Sequence, residues 1–230
     1  SATSDGIYDP QTDTWSSMPT LNSPDGRKYH SAVWTGSKMI VWGGLNSGNS
    51  VVNSGGIYDP STNTWTAIST TAAPSARSYH SAVWTGSKMI VWGGYKESTN
   101  TYFNDGGIYD PQLDSWSQIS SASGLSGRYG FSAVWTGSKM LVWGGRDNLS
   151  PAPYDGAIYD LNANTWTPMS TTSAPQGRYF HVTTWTGSKM IVWGGAGGSS
   201  MSSNLNSGGI FDPATNAWTT ITATDAPSAR

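Results

Sequence analysis

An eleven-residue string, Trp-Thr-Gly-Ser-Lys-Met-Ile-Val-Trp-Gly-Gly, occupies residues 34–44, 84–94 and 185–195, and returns at 135–145 with Leu141 as its one change. Repetition at a fixed interval constrains the fold more than any other feature of this chain. Each copy must form the same small unit and lean on its neighbours. Within a copy, Gly-Ser lies between two apolar runs, which predicts a two-residue hairpin turn with its glycine at positive φ. Residues 89–92 are four consecutive apolar side chains, so that strand must be covered on both faces. Gly93 and Gly94 then end it in a geometry that a side chain would oppose.

A second motif starts as Gly-Ile-Tyr-Asp-Pro and ends in tryptophan. It fills residues 6–15 and recurs at 56–65, 107–116, 157–166 and 209–218, with tryptophans 50, 51, 50 and 52 residues apart. Arg27, Arg77, Arg128, Arg178 and Arg230 close the successive units. A period of this length suits a four-stranded blade and is too long for leucine-rich or ankyrin repeats. The expected strands of a unit are a (79–84), b (88–92), c (56–58) and d (64–68), with Asp59-Pro60 opening the c–d turn. Strand d is the most polar and should be outermost. No helix is expected.

These residues resemble the kelch repeat, in which a double glycine ends the second strand and a tyrosine precedes an Asp-Pro-type turn and a tryptophan. Gly93-Gly94, Tyr109 and Trp116 carry those roles here; Phe211 replaces one tyrosine and Leu161 one turn proline. The resemblance covers essentially the whole chain and implies an all-β fold, a kelch-type β-propeller of four-stranded blades. The order of motifs gives a half blade at 1–26 and four complete blades at about 27–76, 77–127, 128–177 and 178–230. The leading c–d pair lacks an a–b pair, so the ring is expected to be open or completed by another chain, with self-association through that edge.

Charged residues make up 11% of the chain and the net charge is −2, with no basic run, which argues against nucleic acid as a partner. The absence of cysteine excludes disulfides and thiolate metal sites. No apolar run approaches the ~18 residues of a membrane-spanning helix. The chain starts at Ser1 without a signal-like segment, as a mature product or a fragment does. A lysine-poor surface rich in Ser, Thr, Gly and Asn leans toward a secreted bacterial protein, extracellular or at the cell surface.

Several side chains invite a chemical reading. His30, His80 and His181 share one repeat position with Phe131, which points to an aromatic packing slot more than to a metal site. The 13 tryptophans fall in strand slots and read as core, not as sugar-stacking platforms. Asn148-Leu149-Ser150 is a glycosylation sequon followed by Pro151. No nucleophile–base pair is evident, so no catalytic residue, metal or cofactor is assigned. The arginines either tie down loop carbonyls or form a ring of cations with aromatics near the channel mouth, suited to anionic groups. The b–c loops at 45–54, 95–106, 146–155 and 196–207 differ from unit to unit, and variable loops on a rigid scaffold are where function sits. Their unpatterned residues, Tyr95, Lys96, Tyr102, Phe103, Arg146 and Tyr154, together with Arg77 and Arg128, form the candidate binding face. The expected function is non-enzymatic binding of a protein or glycan partner. The alternatives are a lectin, or a carbohydrate-active epimerase or lyase working at the channel mouth.

Overall fold

The computed structural model describes residues 6–122, 124–149, 152–197 and 204–229. Arg230 and the Ser150-Pro151 end of the sequon lie outside them, as does part of the fourth b–c loop. Four four-stranded antiparallel sheets follow one another, each in the strand order a–b–c–d. In the first blade these are Ser31–Trp34, Met39–Trp42, Gly55–Asp59 and Thr64–Ala67. In the second they are Ser81–Trp84, Met89–Trp92, Gly106–Asp110 and Ser115–Gln118. The third runs Ser132–Trp135, Lys139–Trp143, Gly156–Asp160 and Thr165–Pro168. The fourth runs Val182–Trp185, Met190–Trp193, Gly208–Asp212 and Ala217–Thr220. The a strands of successive blades stand side by side, which puts them innermost and the d strands at the rim. The fold is all-β and built of the four-stranded antiparallel blades that the repeats imply.

The leading c–d pair is a two-stranded sheet, Gly6–Asp9 with Thr14–Ser17, and no described strand pairs with its inner edge. It packs Ile7 and Met18 on Val41, Tyr58 and Trp65 of the first blade.

Alternation along strand b explains why the blades need one another. Ile90 and Trp92 face the third blade, where they meet Met140, Val142 and Tyr159. Met89 and Val91 point the opposite way, onto Val33, Ile40 and Trp42 of the first blade. All four residues 89–92 are fully buried, as a doubly covered strand requires. Each of the fully buried b-strand tryptophans, Trp42, Trp92 and Trp143, removes about 150–250 Å² from water, worth about 4–6 kcal/mol as an upper bound.

Local geometry follows the residue types. Gly86 takes φ +99°, and Thr85 N–H donates to the Lys88 carbonyl at 2.9 Å across the two-residue turn. Asp59 accepts the Ser61 N–H at 2.9 Å, and the Tyr58 hydroxyl donates to Asn63 at 2.7 Å across the c–d turn. Lys38 pairs with Asp59 at 3.0 Å. The Ser61 hydroxyl and Lys38 together hold the Asp59 carboxyl at about 2. The same lysine–aspartate pair joins the b strand to the c–d turn in the other three blades.

Two expectations need correction. Strand a begins at Ser81, not at residue 79, because Tyr79 takes the left-handed φ of +54° and breaks the extended run. Nor are all the tryptophans core. Trp42, Trp92 and Trp143 are fully buried, but Trp15 is 72% and Trp34 55% exposed. Both occupy slots that a preceding blade covers elsewhere, and no described a–b pair precedes them.

Candidate functional site

The histidine slot is a packing position. His80 meets Trp42 edge-on at 5.0 Å and 76°, and Phe131 meets Trp92 at 5.1 Å and 80°. His181 meets Trp143 in the same way at 5.4 Å. A phenyl and an imidazole ring therefore do the same job at successive seams. The buried His80 and the half-buried His181 also find hydroxyl partners that sequence reasoning missed: His80 Nε2 with Ser31 Oγ at 2.9 Å, and His181 Nε2 with Ser132 Oγ. Burial first, then the nearby Arg77 and Arg178 guanidinium groups, pushes both histidines down to about 3. A histidine so weakly basic is a poor general base, so these Ser–His pairs are structural. Among the described residues no cluster of His, Asp and Glu could hold a metal ion.

The d–a arginines are scaffold. Arg77 is fully buried and donates to the carbonyls of Ser75, Gly93 and Asp105 at 2.9, 2.9 and 3.0 Å. It also pairs with the Asp105 carboxylate at 2.9 Å. Arg128 is equally buried and holds the carbonyls of Ser126 and Gly144 at 3.0 Å and the Asp155 carboxylate at 2.8 Å. Arg178 repeats the pattern on Gln176 and Gly194. The planar five-donor guanidinium is the side chain that can satisfy several converging acceptors at once. This corrects the placing of Arg77 and Arg128 among contact residues. Their charge is used inside the blade and presents no cation to the axis.

The predicted loop residues divide in the same way. Tyr95–Lys96 and Thr101–Tyr102 form a two-stranded ribbon in the second b–c loop. The Tyr95 ring packs on Tyr102 at 4.7 Å and on Tyr129 at 5.3 Å, and Tyr102 lies over Tyr129 at 5.8 Å. Arg146 bridges backbone to backbone with Tyr129 and places its guanidinium 5.6 Å from the Tyr179 ring. Lys96 is half-buried on the same ribbon. Phe103 sits under the Arg77 guanidinium at 4.1 Å, so its ring serves the scaffold. Tyr154 is 53% exposed and stands apart, lining a different cleft with Pro175 and Gln176.

The sequence reading set aromatics beside the arginines near the channel mouth but did not name the rings at the centre as contact residues. Tyr29, Tyr79 and Phe180 each stand two residues after a d–a arginine, at φ +58°, +54° and +53°. Left-handed backbone is rare for bulky residues and costs about 1–3 kcal/mol each. Hydrogen bonds between blades hold it in place: Tyr79 N–H to the Tyr29 carbonyl at 3.0 Å and Phe180 N–H to the Gly130 carbonyl at 2.8 Å. In the third unit glycine takes the slot, and Tyr129, one residue earlier, supplies the ring. Tyr29 stacks on Tyr79 at 4.0 Å. Tyr79, Tyr129 and Phe180 form a triangle with sides of 5.5, 6.0 and 6.0 Å. Tyr79 and Phe180 belong to the second and fourth blades, so this triangle spans the axis at the loop face. The signal in the sequence is an aromatic within two residues after each of Arg27, Arg77, Arg128 and Arg178.

These rings line a half-open cleft of about 370 Å³, together with Lys28, Leu45, Asn49, Ser78, Tyr95 and Glu97. Burial raises the Tyr79, Tyr95 and Tyr129 hydroxyls above the ordinary tyrosine value, so they remain donors at neutral pH. The site is shallow, aromatic and nearly uncharged.

Comparison with curated proteins returns no significant match. A family model, the KLHDC2/KLHL20/DRC7 Kelch-repeats domain, matches residues 3–126 and 120–230. With the double-glycine strand ends, the Tyr–Asp turns and the four-stranded blades already in place, that match shows that the chain belongs to the kelch-repeat family.

Proposed function

We propose that the chain is a non-enzymatic interaction module that docks a protein partner through the face built from the b–c and d–a loops. Kelch-repeat domains generally mediate protein–protein interaction. The observation that carries the choice of face is the clustering of exposed and half-exposed aromatics, Tyr29, Tyr79, Tyr95, Tyr102, Tyr129 and Phe180, on one side of the scaffold. Interface centres are enriched in Tyr, Phe and Arg. The opposite face offers four nearly identical Gly-Ser turns, which leave little to distinguish one partner from another. The composition leans toward an extracellular or cell-surface protein of bacterial origin, and a glycan is the alternative ligand for the same rings.

Peptides selected from a random displayed library on the folded chain test the reading. The double variant Tyr102→Ala/Arg146→Ala should weaken their binding by tenfold or more, since central aromatic and arginine contacts are worth about 2 kcal/mol each. Its melting temperature should fall by only a few degrees, because both side chains sit at the surface of the cluster. Peptides that ignore this variant but lose binding when Gly36-Ser37 is altered would place the interface on the wrong side.

The exposed Trp15 and Trp34 give the leading edge a second use, contact with another copy of the chain. Sedimentation velocity across a concentration series on the same samples decides this; a monomer throughout removes self-association.

A further inference from the structure

The rosette at the axis has a shape and a charge that restrict what the partner can place there. Three ring centroids stand 5.5–6.0 Å apart with part of their surface open to solvent. Phe180 is 46% exposed and Tyr29 45%. One cation and one anion line the cleft, Lys28 and Glu97, and Lys28 already lies 5.7 Å from the Tyr29 ring. A strongly charged ligand finds no net complement there. A neutral ligand with rigid apolar rings and free carbonyl groups does.

We infer that the cleft between Tyr29, Tyr79, Tyr129 and Phe180 receives a proline-rich segment of the protein partner in the polyproline II conformation. This rests on the reading that the loop face binds protein, and it names what the centre of that face recognises. Polyproline II has three residues per turn and rises about 3.1 Å per residue, so residues three apart share one face about 9 Å apart, and that face can lie on the contiguous rings of Tyr29, Tyr79, Tyr129 and Phe180. Its backbone makes no internal hydrogen bonds, and the carbonyls therefore accept from outside donors. The Tyr129 hydroxyl and the exposed Asn49 amide border the cleft with donors for that role. The helix is preformed, so little chain entropy is lost on docking, and aromatic-lined grooves are the recurring receptor for it. A sugar could stack on the same rings, but its hydroxyls need several flanking acceptors, and the lining includes a single carboxylate, Glu97.

The left-handed backbone supplies the control. At Phe180 the slot tolerates glycine, as Gly130 shows in the neighbouring unit. Phe180→Gly therefore removes a recognition ring while relieving φ strain, and the fold should melt at or near its original temperature.

The probe is acetylated, amidated decaproline, with a Gly-Ser peptide of equal length and an oligosaccharide panel as comparators. Binding is followed by NMR on the chain carrying 15N-labelled tyrosine and phenylalanine. Decaproline should give saturable shifts at Tyr29, Tyr79, Tyr129 and Phe180, and the Gly-Ser peptide none. Phe180→Gly and Tyr79→Leu should each weaken decaproline by about tenfold, one stacked ring being lost in each case. Absence of saturable shifts, or shifts confined to residues outside the rosette, overturns the inference; shifts with oligosaccharide alone replace it with a glycan site. If library peptides depend on Tyr102 and Arg146 while decaproline leaves the rosette unmoved, the docking face stands and this inference fails alone. If decaproline binds but the library peptides ignore that double variant, the failure lies in the proposed contact residues.

Discussion

Gly93→Val should destabilise the protein by about 3–5 kcal/mol and lower its melting temperature by roughly 10 °C. Two independent costs add. Gly93 has φ +68°, a left-handed value that a β-branched residue resists. A Cβ at that position would also stand 2.5 Å from the Phe131 ring and 3.0 Å from the Arg128 carbonyl. Neither neighbour can retreat: Phe131 is wedged edge-on against Trp92, and the Arg128 carbonyl accepts the Gly94 N–H at 2.8 Å. Gly86→Val separates the two costs. Gly86 has φ +99° but open space around its missing Cβ, so only the backbone term of about 1–3 kcal/mol applies. Thermal melts of the two variants should therefore differ clearly. Equal melting temperatures would mean that the blade seam is softer than this packing implies.

Arg128→Ala is the second large effect, a loss of about 3–5 kcal/mol in urea or thermal unfolding. The substitution leaves the carbonyls of Ser126 and Gly144 and the Asp155 carboxylate without their shared donor, and opens a cavity where a fully buried side chain stood. The buried Gly144 carbonyl, left unsatisfied, carries its whole desolvation cost, whereas the Asp155 carboxylate, 40% exposed, can turn to water. Arg128→Lys should recover only part of the loss, since an ammonium cannot reproduce the planar fork. Arg146→Ala, whose guanidinium only lies near the Tyr179 ring, should cost about 1 kcal/mol or less. If Arg128→Ala melted like the native chain and lost partner binding, the arginine would regain the role of a contact residue.

The fold was largely legible because its signals are local and repeated. Positive φ at Gly86 follows from a Gly-Ser turn between strands, and double coverage of residues 89–92 follows from their unbroken apolar run. The aromatic nature of the slot shared by His80, Phe131 and His181 could also be read from the exchange of residue types. The site was harder to read. Arg77 and Arg128 look alike in sequence whether they face a channel or a ring of carbonyls, because the decision rests on where residues 93 and 105, or 144 and 155, come back in space. Tyr29, Tyr79 and Phe180 stood in plain view, but their left-handed backbone depends on hydrogen bonds between blades. The ring in the third unit shifts from the glycine slot to Tyr129, so the alignment of repeats breaks where space is shared.

The aromatic slot also sets an order in which the assembly comes apart in acid. An unfolded histidine takes up a proton near pH 6.5, whereas His80 and His181 in the folded chain resist it down to about 3. Between those values the unfolded state binds more protons, so stability falls as the pH drops through this window. The histidine part of this loss falls at the joints between blades one and two and between three and four, whereas the low-pKa aspartates of the c–d turns are shared by all four blades. The middle joint is closed by Phe131 on Trp92 and carries no such group in this slot. Acid should therefore detach the flanking blades first and leave the central pair clasped. Hydrogen exchange at about pH 4.5, corrected for its intrinsic rate, should show strands b of blades one and four opening before that of blade two. Simultaneous opening of all three would mean that the blades unfold as one unit whatever fills the slot.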